Sequence, residues 1–141
     1  MKILLDKFKT GLIGMIGAGM LHAPVYAVED VLNTPSLPTN LAAENLLIDI
    51  AKVGDRLVSV GYRGHIIYSD DTGASWQQAD VPVSVLLNAV SFVDESNGWA
   101  VGHSGVVLHT SDAGKTWEVQ FDGNQANKMI ITQVENRVEN I

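Results

Sequence analysis

"YSDDTGASWQQ" (residues 68–78) and "HTSDAGKTWEVQ" (residues 109–120) write one acidic turn twice. Both read Ser/Thr-x-Asp-x-Gly-x-x-Trp, as Ser69, Asp71, Gly73 and Trp76, then Thr110, Asp112, Gly114 and Trp117. Superposing the tryptophans sets a period of 41 residues. That period also pairs Val60 with Val101, Gly61 with Gly102, Gly64 with Gly105, and Ile66-Ile67 with Val107-Leu108. Self-similarity at a fixed period marks repeat architectures.

The spacing has a physical account within the turn itself. Asp71 and Asp112 are placed to accept hydrogen bonds from backbone N–H groups of their own loop, as Asx-type side chains do. Gly73 and Gly114 supply a backbone with positive φ that a β-carbon resists. Ser69 and Thr110 add a hydroxyl. The indole of Trp76 or Trp117 can fold back over the hairpin, covering apolar area and placing its N–H on an acceptor. A catalytic role would need a carboxylate free to react, and the repeat would then imply two active sites. The spacing therefore favours a device that holds a loop shut.

Around each turn the chain reads as short strands. "LLIDIAKV", "RLVSVGY", "GHIIYS" and "SWQQAD" precede Pro82, and "LLNAVSFV", "GWAVGH", "GVVLHT" and "TWEVQF" follow it. Gly54-Asp55 is a turn between the first two. Strands of this length and spacing predict an all-β architecture. Four strands per 41-residue unit predict two propeller-type blades, at about residues 46–80 and 86–122.

The two turns resemble the Asp-box, or bacterial neuraminidase repeat, of propeller blade hairpins. With the preceding Val60-Gly61-x-x-Gly64 and Val101-Gly102-x-x-Gly105, the region from Leu46 to Gly123 is similar to the photosystem II stability/assembly factor-like propellers. That resemblance implies a ring of about seven blades, within the usual propeller range, and no catalysis. It implies protein partners in membrane complexes under assembly, photosystem II among them. Two blades cannot close such a ring, so the chain is expected to be a fragment or truncated product, or to complete its core with another chain. Self-association is one expected outcome.

The ends carry different signals. Lys2, Lys7 and Lys9 precede an apolar run from Gly11 to Leu21, and Val25 and Ala27 occupy the small-residue positions of a cleavage site. Residues 1–27 thus read as a secretory signal peptide, with export to the periplasm or beyond. Eleven apolar residues fall short of the roughly 20 a membrane span needs. Residues 28–45, with Pro35 and Pro38, are expected to be an extended leader. In residues 124–141, Ile130, Val134, Val138 and Ile141 recur at helical spacing.

Removing the signal segment, with three lysines and one aspartate, takes the formal charge from −7 to −9. An acidic chain with Arg56, Arg63 and Arg137 dispersed does not suit nucleic acid. No cysteine is present, which excludes disulfides, thiolate ligands and a Cys nucleophile.

Catalytic and metal readings fail one by one. Sialidases also carry Asp-boxes, but their arginine triad cannot be built when Arg137 lies in the tail and leaves two arginines. His65, His103 and His109 fall on the repeat positions of Val106, Tyr62 and Tyr68, as strand or surface residues rather than ligands. "SDDTG" lacks the further acidic positions of an EF-hand loop. In "GHSG" the second glycine, Gly105, stands one residue too early for a Gly-x-Ser-x-Gly elbow around Ser104. No cofactor, metal or catalytic residue is expected.

Overall fold

A computed structural model describes residues 30–140. The expected signal peptide lies outside the described residues. The stretches between turn residues form strands: β1 (Leu47–Val53), β2 (Arg56–Gly61), β3 (Ile66–Ser69) and β4 (Gln77–Gln78) in one sheet. The second holds β5 (Leu87–Phe92), β6 (Gly98–Gly102), β7 (Val107–Thr110) and β8 (Glu118–Phe121). Both sheets pair their strands antiparallel in chain order, and α1 (Gly123–Glu139) follows. The expectation of a β body with two four-stranded sheets and a helical tail is met.

The Val-Gly-x-x-Gly segments turn β2 into β3 and β6 into β7, and they do so identically. Arg63 and Gly64 have φ of 55° and 72°, and Ser104 and Gly105 have 58° and 68°. Two successive left-handed residues make the hairpin turn whose twist suits antiparallel strands. The first glycine answers a different constraint. A β-carbon on Gly61 would lie 2.1 Å from the Leu46 carbonyl oxygen, and one on Gly102 2.3 Å from that of Leu86. That close approach lets the Tyr62 and His103 amides donate to those same oxygens at 2.9 Å.

The core sits between the sheets. Val58, Val60 and Ile66 from the first sheet meet Leu87, Val90, Ala100, Leu108 and Trp117 from the second, with Val81, Val83 and Val85 of the connecting segment closing one side. Full burial of a side chain of this size contributes about 1.5–3 kcal/mol. Asp49, at a bulge in β1, crosses the seam, accepting from the Val90 amide of the second sheet at 2.9 Å and from the Ile50 amide of its own strand at 2.9 Å.

The segment expected to be an extended leader is docked. Its Ser36 amide donates to the Val81 carbonyl (3.0 Å), and the Ser84 amide donates to Val31 (2.9 Å). The Gln78 side chain clamps it, accepting from the Thr39 amide and donating to the Leu37 carbonyl. Leu32 enters the core and Ala42 is buried. Two apolar residues at the right places anchor a stretch whose prolines suggest only extension.

α1 starts where Gly123 passes the Ser104 carbonyl, with Asp122 capping the Gln125 amide at 2.8 Å. Beyond that point it leaves the body, and every residue from Asn127 to Asn140 is exposed. No helix among the described residues is long and apolar enough to cross a membrane.

Gly102→Ala tests the carbonyl contact. The added methyl should destabilise the fold by about 1–3 kcal/mol through overpacking against backbone that cannot move aside. Urea unfolding that leaves the midpoint unchanged would show that Leu86 yields freely.

Candidate functional site

The two acidic turns are the repeated polar constellations of the fold, and each is built from its own loop. In the first, the Ser69 hydroxyl donates to Asp71 Oδ1 (2.8 Å) while accepting from the Gly73 amide (2.8 Å). Asp71 also accepts from the Ser75 amide (2.8 Å) and the Ser75 hydroxyl (2.6 Å). In the second, Thr110 donates to Asp112 Oδ1 (2.8 Å) and accepts from the Gly114 amide (3.1 Å). Asp112 accepts from the Lys115 and Thr116 amides (3.0 and 2.9 Å) and from the Thr116 hydroxyl (2.7 Å).

Two parts of this arrangement escape a reading of the sequence. The hydroxyls of Ser75 and Thr116, immediately before each tryptophan, supply the last donor to each carboxylate. Both sequences carry a hydroxyl there, which was the available signal. The turn also needs two successive left-handed residues, Thr72 (φ 59°) and Gly73 (φ 92°), then Ala113 (φ 61°) and Gly114 (φ 84°). Only the glycines announce themselves.

The donors fix the electrostatics. The Ser75 hydroxyl, then the Ser75 amide and the Ser69 hydroxyl, hold Asp71 down to about 2. At Asp112 burial pushes the pKa up, but the bonds from Thr116, Thr110 and Lys115 together outweigh it and leave it lowered. A carboxylate with so little affinity for a proton, its oxygens occupied by its own loop, is a poor base or nucleophile.

The turns differ in what covers them. Trp117 is 4% exposed and its indole N–H donates to the Gly114 carbonyl at 3.0 Å. The second turn is pressed against the first sheet. The Gly114 α-carbon faces Val58 and Phe92, the Ala113 carbonyl accepts from Arg56 (3.0 Å), and the Asp80 and Trp117 amides exchange bonds with Lys115 and Asp80 carbonyls. Trp76 is half-buried, and its N–H has no partner among the described residues. Where Val90 is 7% exposed, Ile50 at the matching place of the first sheet is 54% exposed. On that face of the first sheet only the β1 edge is open, since Ser59 and Ile67, paired in turn across from Ile50, are buried.

The remaining candidates separate. Arg56 is tied to Asp70 by two bonds (2.6 and 2.8 Å), and Arg63 lies over the Tyr62 ring at the other end of β2. His109 stacks on Trp99, with ring centroids 4.9 Å apart, and His103 sits in the hairpin turn. His65, read as a strand or surface residue, is buried, and its Nδ1 lies 3.2 Å from Asn45 Nδ2. Burial pushes its pKa down. It floors a groove of about 700 Å³ between the docked leader and the Tyr62–Gly64 turn, lined also by Leu37, Leu41, Tyr62 and Arg63 and by no carboxylate. Among the described residues no group of His, Asp or Glu is arranged to hold a metal ion.

Residues 31–135 match the model of the photosynthesis system II assembly factor YCF48 family. The chain belongs to that family. Photosystem II stability/assembly factor HCF136 of Oryza sativa subsp. japonica is 34% identical over 93 residues, covering 56% of this chain and 22% of the relative. The HCF136 protein of Cyanidioschyzon merolae is 44% identical over 48 residues, covering 33% and 11%. A solved structure of YCF48 bound to D1 peptide aligns at 26% identity with a TM-score of 0.47, covering 52% of this chain and 25% of that one. The chain spans about a fifth or less of the curated relatives it matches. The YCF48-family match takes in both sheets, both acidic turns and most of α1.

Two measurements test the turns. Asp112→Ala leaves the buried Thr110 hydroxyl without its acceptor in the turn that lies on the first sheet and should lower stability by about 1–3 kcal/mol, and by more than Asp71→Ala does. Equal losses at the two positions would contradict the difference in cover. An NMR titration should place Asp71 at about 2, below its ordinary value near 3.8. Its pKa is depressed in the folded chain, so its stabilisation is complete above the unfolded value and is lost as pH falls from about 5 towards 2. A midpoint near 4 would mean the Ser75 and Ser69 bonds do not form in solution.

Proposed function

We propose that this chain is a piece of an exported, non-catalytic β-propeller scaffold that binds a membrane protein complex during its assembly. The two sheets, residues 46–80 and 86–122, act as neighbouring blades whose acidic turns lock one blade onto the next. The observation that carries the reading is that Asp71 and Asp112 are consumed by their own loops, so the motif the sequence repeats holds structure and leaves no reacting group. Family membership supplies the partner class, since its curated relatives are photosystem II assembly factors. Residues 1–27 act as a cleaved signal peptide, and residues 28–45 as a leader that seals part of the first blade.

A sialidase-like hydrolase is the reading from another class. It gains nothing from the geometry, because Arg56 and Arg63 stand at opposite ends of one strand and Arg56 is already bound to Asp70.

Crosslinking of the exported chain in its own host, followed by native separation of detergent-solubilised membranes, tests the proposal. The chain should begin at Val28 and migrate with incompletely assembled complexes more than with finished ones. Migration with no membrane complex, or hydrolysis of a sialoside by the purified chain, would overturn it.

A further inference from the structure

Of the buried polar side chains among the described residues, only His65 can take up a proton near neutral pH. The fold does not need it there. The matching place of the second repeat holds Val106, 1% exposed, so an apolar filler serves the same hairpin position. What sets the first hairpin apart is the leader laid against it.

Three elements wall the ring. The leader brings Leu37 and Asn45 and no ionisable group, the hairpin brings Arg63 and the Tyr62 phenol, and the segment before β5 brings Ser84 and Leu86. No carboxylate faces the ring from any of them. A proton on His65 would make a buried cation beside a second cation, with no anion to pair it. Burial accordingly pushes the pKa down, the Leu37 backbone opposes that, and Arg63 adds to the depression. Asn45 can offer either atom of its amide to Nδ1, so the proton costs a buried charge and not a lost bond.

The walls differ in strength. The hairpin is fixed by the β2–β3 pairing, with the His65 carbonyl accepting from the Gly61 amide at 2.9 Å. From Leu37 to Asn45 the leader buries only Ala42, whose turn lies on β3, and Leu37 and Leu41 are 68% and 51% exposed. Gln78 is the polar clamp on that stretch. The part before it is anchored by Leu32 in the core and by the Ser36 amide on Val81.

We propose that the leader from Leu37 to Asn45 is a flap that closes over neutral His65 and opens when the ring is protonated, uncovering the groove and the β3 surface beneath Ala42. The folded value of His65 lies below its ordinary 6.5, so the open form binds the proton first. Closure is therefore complete above about 6.5 and is lost as pH falls below it.

Amide hydrogen exchange followed by NMR, on the chain as recovered from cells and corrected for the intrinsic pH dependence of exchange, tests this. The Thr39 amide, bonded to Gln78, and the Glu44 amide, bonded to Leu41, report the flap. Their protection should fall by up to about tenfold per pH unit between about pH 6.5 and 5.5, one proton per opening. The Ser36 amide and the β2–β3 amides should hold. His65→Val should leave the flap closed across that range, whereas His103→Gln and His109→Gln should keep the original dependence. Asn45→Asp should reverse its sign, because a carboxylate against Nδ1 pairs with the imidazolium and closes the flap more firmly at the lower pH. Flap protection independent of pH in the unaltered chain, a dependence that survives H65V, or an N45D chain that still opens on acidification would overturn the proposal. If H65V does not fold, the sign of the N45D dependence decides.

Discussion

A hairpin closed by an irregular loop leaves amide N–H groups turned inward, and a buried amide without a partner costs about 1–3 kcal/mol. Thr110 and Asp112 remove that problem within their own loop, since the buried Gly114 amide donates to the Thr110 hydroxyl that Asp112 holds in place, and the rest of the molecule depends on it. Because the Lys115 and Thr116 amides and the Thr116 hydroxyl all end on one carboxylate, the turn is compact enough to lie flat on the neighbouring sheet. Gly114 can then face Val58, where a β-carbon would come within 3.2 Å, and the outward carbonyl of Ala113 meets Arg56. Trp117 closes the arrangement from the other side, edge-on to Phe92. Local polar closure is thus what makes the apolar interface between sheets available.

That order of causes explains why the same motif appears in two states. Ser69–Trp76 shares the hydroxyl and carboxylate bonds of its counterpart but not the indole bond of Trp117, so it closes by the same chemistry while lacking a sheet to lie against. Its carboxylate needs none. Arg56 shows how one sheet recognises the next turn: its guanidinium is held by Asp70, its plane lies over Tyr68, and one nitrogen remains aimed at Ala113. The contact is specific for a backbone carbonyl presented by a left-handed residue. It reads the shape of the closed turn more than its sequence.

Much of this was legible in the residues. Turn glycines and β-branched runs delimit the eight strands because those signals act over a few positions, and the 41-residue period survives because both units repeat the same close approaches. What escaped is set by partners far apart in the chain. The docking of the leader rests on Gln78 and Val81, the reach of Arg56 on a carbonyl 57 residues away, and the burial of His65 on Asn45. The left-handed Thr72 and Ala113 escaped for another reason: nothing in either side chain favours that conformation, and each is held in it by its neighbours.

The hydroxyl before each tryptophan shows how far a local motif can be extended once its geometry is known. Ser75 and Thr116 differ by a methyl group yet place their oxygens 2.6 and 2.7 Å from the same carboxylate atom. A residue without a hydroxyl would leave Asp71 Oδ2 or Asp112 Oδ2 facing solvent or apolar surface. At Ser75, where the turn is open, water can take that place. Thr116 is exposed as well, although its backbone runs beside Asp80, so water can serve there too. The two turns differ instead in the tryptophan that follows the hydroxyl, half-buried at Trp76 and 4% exposed at Trp117, because only the second turn has a neighbouring sheet to lie against.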